Sequence, residues 1–148
     1  GTLNRDSLNA LCEQEWFLLP APKRATIGQL SPLCDHPGLQ GVDPANTMAT
    51  LTALTARSIF EFVKREYRDF ASLPALWVSG GGAHNHTLVE FLRAFFSPVP
   101  VKTVEEMGIP LEGMIPLALA LSAANYVEKR PLCLDGASAA HLGTWVLV

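Results

Sequence analysis

The sequence predicts a single α/β domain with many loops, on three observations. The chain has 148 residues and a mass of 16.0 kDa, which suits one ordinary domain. Hydrophobic residues make up 49% of it and charged residues 17%, so there is enough apolar surface to offset the ordering entropy of folding. The 11 glycines and 11 prolines divide the chain into short segments. We therefore expect short helices and strands around one core.

Residues 1–45 are predicted to be an irregular connecting segment. Leu8, Leu11, Cys12 and Trp16 have the spacing of one short helix face, but no period is sustained. Prolines recur, and each one removes a backbone donor and biases the preceding residue away from a helix. They are Pro20, Pro22, Pro32, Pro37 and Pro44. So long an irregular segment suggests packing against a part of the protein outside this chain.

The α/β core is predicted to begin at residue 46 with the strongest helix of the chain. Asn46 or Thr47 can cap its first turn, and apolar residues recur to about Tyr67. Two sides of this helix are apolar, so we expect most of its circumference to be covered. One side carries Met48, Leu51, Ile59 and Phe62, and the other carries Ala49, Ala53, Ala56, Phe60 and Val63.

A βαβ unit is predicted next. The apolar run from Pro74 to Ser79 is typical of a buried strand, and it ends in three glycines. A helix follows, with Asn85 as its cap and Pro98 as its stop. Val99 to Val104 supplies a second strand, and we expect a right-handed crossover between the strands. The helix is predicted from Leu88, Phe91, Leu92 and Phe95.

A last helix is predicted from Gly113 to Lys129. Pro116 is tolerated only in a first turn, so the helix should begin near Gly113 or Met114. We expect it to pack tightly around Leu117, Ala120, Leu121 and Ala124. The end of the chain, Leu142 to Val148, is predicted to form a final strand.

Charge and hydropathy exclude several classes of protein. The net charge of −3 comes without a basic stripe, so nucleic acid is a poor partner. No apolar run approaches the roughly 18 residues of a membrane span and no secretory signal is visible, so we expect a cytoplasmic protein without a membrane partner. Cys12, Cys34 and Cys133 are far apart, which favours reduced structural thiols over disulfides or zinc.

The one specific local motif is Val78-Ser-Gly-Gly-Gly-Ala-His-Asn85, between a strand and a helix start. Glycines at positions 80, 81 and 82 let a ligand approach the backbone, and a helix start offers free N–H groups. This geometry suits a phosphate or a nucleoside. The motif matches neither the Walker nor the Rossmann pattern. A tight turn without a ligand is the alternative.

Other polar groups are weaker candidates. His84 and His86 are two residues apart and would diverge on a helix, so we expect no metal site. The adjacent pair Glu105-Glu106 is better explained as a solvated edge than as paired carboxylates. Lys23 and Arg24 could meet a phosphate or sugar, or simply lie in a solvated loop.

His36 and His141 are isolated, and we expect exposed or hydrogen-bonded structural roles for both. No residue in this chain stands out as a general base, so we assign it no catalytic residue. The chain alone therefore looks like half of a site.

The motif from Val78 to Asn85 resembles the anhydro-N-acetylmuramic acid kinase family of the sugar kinase, Hsp70 and actin superfamily. The segment from Ala49 to Ile59 is similar to the family's Ala-Thr-Leu helix, and Glu106-Met-Gly-Ile109 also recurs in family order. Pro22-Lys23 with Thr26 and Gly28 looks like an altered form of its Pro-Pro-Lys-Ser-Thr-Gly segment, and Gly136-Ala-Ser138 and Leu142-Gly143 follow.

The resemblance implies a two-lobe kinase of which residues 1–148 are the C-terminal, nucleotide-contacting lobe. That lobe would be ribonuclease-H-like, with a mixed sheet flanked by helices. ATP and Mg²⁺ would be the cofactors, a 1,6-anhydro sugar the substrate, and cell wall recycling the setting. The aspartate base would lie in the N-terminal lobe, which is the missing partner. A homodimer is left open. The resemblance places the nucleotide beside Gly80, Gly81, Gly82, His84 and Asn85.

Two departures from the family pattern keep other functions open. Ile27-Gly-Gln29 stands where the family usually has Arg-Glu, and Ile115-Pro116 stands where it usually has Glu-Ala. A substrate such as levoglucosan, or a non-catalytic relic that keeps only the fold or a dimer contact, would each account for them. If the fold has adapted to lost catalysis, we expect Ile115 to pack against Leu111 or Leu119.

Overall fold

The computed structural model describes residues 1–19 and 26–130 of the chain. These residues form a helix-rich α/β structure with a small parallel sheet. The α-helices are α1 (Arg5–Cys12), α2 (Glu15–Leu18), α3 (Ile27–Leu30), α4 (Pro44–Glu66), α5 (His86–Phe96) and α6 (Met114–Val127). The strands are β1 (Leu76–Val78) and β2 (Val101–Thr103). The α/β class predicted from the sequence is confirmed in this form.

The N-terminal segment contributes to the core through α1. Asn4 caps this helix, because its side chain accepts a hydrogen bond from the Ser7 amide at 3.0 Å. Leu8 and Leu11 are buried in one cluster with Leu39 and two residues of α4. The helix face predicted from Leu8 and Leu11 is therefore confirmed. Within the segment 1–45, α1 is the short amphipathic helix that this face allowed, and it packs against an apolar partner on α4.

The start of α4 differs from the prediction. Asp43 is the cap, and its side chain accepts from the Ala45 amide at 2.9 Å. Pro44 occupies the first helical position, where its missing N–H costs nothing and its fixed φ favours the helix. Asn46 and Thr47, the two expected caps, both lie inside the helix, and the side-chain oxygen of Asn46 accepts from the Thr2 amide at 2.7 Å.

Only one side of α4 is well buried by the described residues. Ala49, Ala53 and Ala56 lie on this side, together with Thr50 and Leu54. Met48, Ile59 and Phe62 on the other side are exposed. The expectation that most of the circumference is covered is therefore wrong within the described part of the chain.

The predicted βαβ unit is present. β1 and β2 pair in parallel, with Leu76 opposite Val101 and Val78 opposite Thr103. α5 connects them and packs on α4, so that Ala56 of α4 shares a core cluster with Leu92 and Phe96 of α5 and with Val99 and Val101.

One detail of β1 is a correction. The run was predicted to be a buried strand, but Trp77 is 42% exposed. The centroid of its ring instead lies 5.4 Å from the ammonium nitrogen of Lys102 on β2. In the described residues the sheet has two strands, so the outward face of β1 has no third layer to cover it.

α6 begins where the sequence predicted and packs differently. It starts at Met114, with Pro116 in its first turn. No residue of α6 is buried by the described part of the chain, and Ile115 and Leu119 are 74% and 65% exposed. The predicted packing around Leu117 and Leu121, and that of Ile115 against Leu111 or Leu119, is therefore wrong here. The helix contacts the body mainly at its N-terminal end, through Met114.

The predicted final strand, Leu142 to Val148, lies outside the described residues. Among the residues that the structure does describe, none of the helices combines the length and the apolar character needed to cross a bilayer.

Candidate functional site

A glycine turn, residues 80–84, joins β1 to α5. Gly80 has φ +76° and ψ −175°, a conformation that side chains rarely tolerate. Gly81–His84 then forms one 3₁₀ turn, and α5 begins at His86. Gly80 is therefore required by the backbone path itself.

The glycine turn is anchored to the segment before α6. The Gly80 amide donates to the Leu111 carbonyl at 2.6 Å. Ala83 is buried in a small cluster with Val104 and Leu111. A polar and an apolar contact thus hold opposite ends of the turn, which gives it a defined position.

The middle of the glycine turn is open. Of the atoms in the described part of the chain, a Cβ added at Gly81 would meet none within 4 Å, and one added at Gly82 would meet only the Cδ2 of Leu88 at 3.7 Å. Within the described residues, the amides of Gly81 and Gly82 have no acceptor, whereas the Ala83 amide donates to Gly80. Packing among the described residues therefore does not explain glycine at positions 81 and 82. Two adjacent free amides without side chains form a surface that an anion or another polar ligand can approach closely.

Asn85 acts as the cap of α5, as predicted. Its side-chain oxygen accepts from the Leu88 amide at 3.1 Å. This bond fixes the exit of the glycine turn and satisfies one donor of the first helical turn. The cap role is a structural one, and it places Asn85 at the edge of the open amides.

His84 contacts a carboxylate that sequence reasoning did not identify. Its Nε2 makes a hydrogen bond to Oε1 of Glu112, in the 3₁₀ turn Leu111–Gly113. The hydrogen bond from His84 is the main reason why the pKa of Glu112 lies below its ordinary value. Glu112 is 28 residues away in the sequence and belongs to no motif, so no local pattern could have indicated it.

A polar cavity of about 430 Å³ lies beside the glycine turn. Glu90 and Arg93 of α5 line one wall, and Thr103 and Glu105 at the end of β2 line another. The remaining lining residues are Ala83, His84, His86, Val89 and Leu111. The cavity is thus close to the carboxyl ends of the parallel strands, where ligands of α/β proteins commonly bind. One guanidinium among two carboxylates suits an uncharged polar group better than an anion.

His36 and the pair Glu105-Glu106 were weaker candidates, and of these Glu105 also lines the cavity. His36 is hydrogen-bonded as expected, because its Nδ1 accepts from the Gly38 amide at 3.1 Å and its Nε2 lies 3.0 Å from Gln14. Glu105 and Glu106 are both exposed, and Glu106 pairs with Lys102 at 3.6 Å. The solvated-edge interpretation of these glutamates is confirmed.

The described residues contain no group of three or more side chains placed to hold a metal ion. Cys12 and Cys34 are free thiols, and Cys34 is exposed. Lys23, Arg24, Cys133 and His141 lie outside the described residues.

Comparisons with known proteins agree on one family. A family model described as anhydro-N-acetylmuramic acid kinase matches residues 1–146. The protein of that name from Salinibacter ruber is 32% identical, and the match covers 97% of this chain and 38% of the relative. The one from Coxiella burnetii is 32% identical and covers 88% of this chain and 35% of the relative. The one from Bordetella avium is 31% identical, and the match covers 95% of this chain and 38% of the relative. This chain thus spans just over a third of the length of these curated relatives.

Proposed function

Because this chain belongs to the anhydro-N-acetylmuramic acid kinase family, we propose that it is the C-terminal, nucleotide-contacting lobe of an ATP-dependent 1,6-anhydro-sugar kinase. Residues 46–148 would be the ribonuclease-H-like α/β core of this lobe, preceded by residues 1–45. The complete enzyme would phosphorylate its sugar as the anhydro bridge opens, in the cytoplasmic recycling of cell wall sugars.

The open amides of Gly81 and Gly82 are the observation that carries this proposal. Neither a positive φ nor packing among residues 1–19 and 26–130 requires glycine at these two positions. A ligand that lies against the backbone accounts for both, because a Cβ at either position would take up the space that it occupies. Nucleotides are often held in this way at a turn between a parallel strand and a helix.

The neighbouring cavity supports the same ligand. Its lining by Glu90, Glu105 and Arg93 suits the hydroxyl and amino groups of a nucleoside, while the free amides suit an oxygen of the phosphate chain. Gly80, Gly81, Gly82, His84 and Asn85 are thus the residues we assign to the nucleotide. ATP would supply the phosphoryl group, with Mg²⁺ neutralising its charge.

Catalysis would be divided between two lobes. Phosphoryl transfer depends mainly on positioning and charge stabilisation, so nucleotide contacts without a base to activate the nucleophile are insufficient. The resemblance assigns that base to an aspartate of the N-terminal lobe, and we assign no catalytic residue to this chain. We therefore expect the chain to be inactive by itself.

The second candidate is a relic that keeps the fold without catalysis. Ile115 at the usual place of a carboxylate favours it, and so does the adjacent Pro116. Ile115 is nevertheless 74% exposed, so the described residues do not form a repacked core around it. A levoglucosan kinase-like enzyme is a further alternative, in which the same lobe serves another 1,6-anhydro sugar.

Amide NMR on the ¹⁵N-labelled chain tests the site. Addition of Mg-ATP should shift the resonances of residues 80–82 and 85, and Gly81→Ala should abolish these shifts. Gly28→Ala is the matched control, because the nearest described atom to an added Cβ there is the Thr26 hydroxyl oxygen at 3.9 Å, an ordinary contact. Shifts centred on Lys23 and Arg24, with the glycines unchanged, would contradict the proposed site.

A coupled ADP-release assay tests whether catalysis requires both lobes. The chain alone should give no turnover with 1,6-anhydro-N-acetylmuramic acid, whereas an active lobe pair should approach the ordinary enzymatic range of roughly 1 to 10³ per second. Restored turnover on adding the N-terminal lobe of a curated relative would support the kinase. Turnover by the chain alone would contradict the two-lobe proposal, and nucleotide binding without restoration would favour the relic. Levoglucosan is assayed in parallel, and turnover with this sugar instead would favour the levoglucosan kinase-like alternative.

A further inference from the structure

The contact between His84 and Glu112 joins two 3₁₀ turns from distant parts of the chain. His84 ends the turn Gly81–His84, and Glu112 is the middle residue of Leu111–Gly113. Both side chains are well exposed, at 58% and 66%, so burial does not explain why they pair. A contact of this kind contributes little to stability, because both groups are exposed to solvent, which weakens the interaction between them.

The chemistry of the contact determines how the imidazole is protonated. Glu112 is ionised at neutral pH, and an ionised carboxylate can only accept hydrogen bonds. Nε2 of His84 must therefore carry the proton that is shared with Oε1 of Glu112. In the neutral imidazole, Nδ1 is then left as a hydrogen-bond acceptor.

The same segment also fixes where the imidazole lies relative to the open amides. The Gly80 amide donates to the carbonyl of Leu111, the residue before Glu112. His84 also lines the polar cavity beside the turn. One short segment therefore holds the first residue of the glycine turn by its backbone and the last residue by its side chain.

We propose that Glu112 is a positioning residue: it orients His84 so that Nδ1 accepts a hydrogen bond from a hydroxyl or amino group of the nucleoside. This inference rests on the proposed nucleotide site. Glu112 does not contact the ligand and acts through His84. Glu90 and Glu105 also line the cavity, but within the described part of the chain Glu112 is the carboxylate that bonds to the imidazole.

A double-mutant cycle measured by NMR titration tests this role, with adenosine and Mg-ADP as probes. Glu112→Ala should weaken both probes by about fivefold to tenfold, the usual cost of losing one well-placed hydrogen bond. Glu112→Gln keeps a side-chain oxygen that can accept from Nε2 and should restore most of the affinity. In a His84→Ala background, Glu112→Ala should have no further effect. Glu106→Ala is the matched control for removing a nearby exposed carboxylate, and it should leave both affinities unchanged.

The protonation form of the His84 imidazole provides a second measurement. It would not change if Glu112 had a purely structural role. ¹⁵N shifts of His84 should report the Nε2–H form in the wild type and in Glu112→Gln, and a mixture of forms in Glu112→Ala. If the wild type binds both probes and Glu112→Ala binds them with the same affinity, this inference is wrong while the proposed function stands. Loss of Mg-ADP affinity with unchanged adenosine affinity would also overturn it, because His84 would then serve the phosphates. Absence of any wild-type shift at the glycine turn would overturn the proposed function and this inference together.

Discussion

The Thr50 hydroxyl of α4 accepts a hydrogen bond from the Asn4 amide at the start of α1, at 3.1 Å, and donates its own proton to the Asn46 carbonyl at 2.7 Å. Thr50 is completely buried. We expect Thr50→Val, which keeps the shape and removes the acceptor, to lower the free energy of unfolding by about 1–3 kcal/mol. Urea denaturation measures this. Thr52→Val is the control, because Thr52 makes the same bond within the helix, to Met48 at 2.8 Å, on a more exposed side. An equal loss in both variants would contradict the role of the α1–α4 contact.

Gly80 and Gly81 should respond differently to alanine. Gly80→Ala places a side chain at φ +76° and should cost about 1–2 kcal/mol of stability. Gly81→Ala meets open space in the described structure and should change stability by less than about 0.5 kcal/mol while impairing Mg-ATP binding. Thermal melts and titrations on the same samples separate the two effects. Equal destabilisation by both substitutions would show that Gly81 is also required by the fold.

Ile115→Glu should be nearly neutral for stability, within about 0.5 kcal/mol, because the side chain is 74% exposed. Leu111→Glu is the comparison, since Leu111 is only 5% exposed and a buried, unpaired carboxylate should cost several kcal/mol. Chemical denaturation of both variants gives the result. A large loss from Ile115→Glu would mean that this face of α6 is covered in solution.

The thiols of Cys12 and Cys34 should react at different rates. Burial raises the pKa of Cys12, and the nearby Arg57 only partly opposes this. Cys34 is exposed. Because the thiolate is the reactive form, iodoacetamide at pH 8 should modify Cys34 several-fold faster, and raising the pH should narrow the difference. Peptide mapping by mass spectrometry follows each site separately. Equal rates at pH 8 would indicate that α1 opens readily from α4.

The glycine motif was predictable because its evidence is local. Three adjacent glycines between an apolar run and a capping asparagine require a turn wherever the rest of the chain lies. The same holds for the first turn of α6, where the position of Pro116 restricts the helix start. The capping of α4 was harder to predict, because Asp43, Asn46 and Thr47 are all good caps and the choice of Asp43 followed from the adjoining Pro44.

Sequence patterns by themselves determined the α/β class, the parallel strand–helix–strand unit and the place of the open glycine turn, because periodicity and turn chemistry act over a few residues. The tertiary structure alone decided that α1 belongs to the core, that Thr50 joins α1 to α4, and that Glu112 meets His84. Each of these contacts joins residues 28 or more positions apart in the chain. Such contacts depend on how complete elements pack against one another, and no short stretch of sequence contains that information.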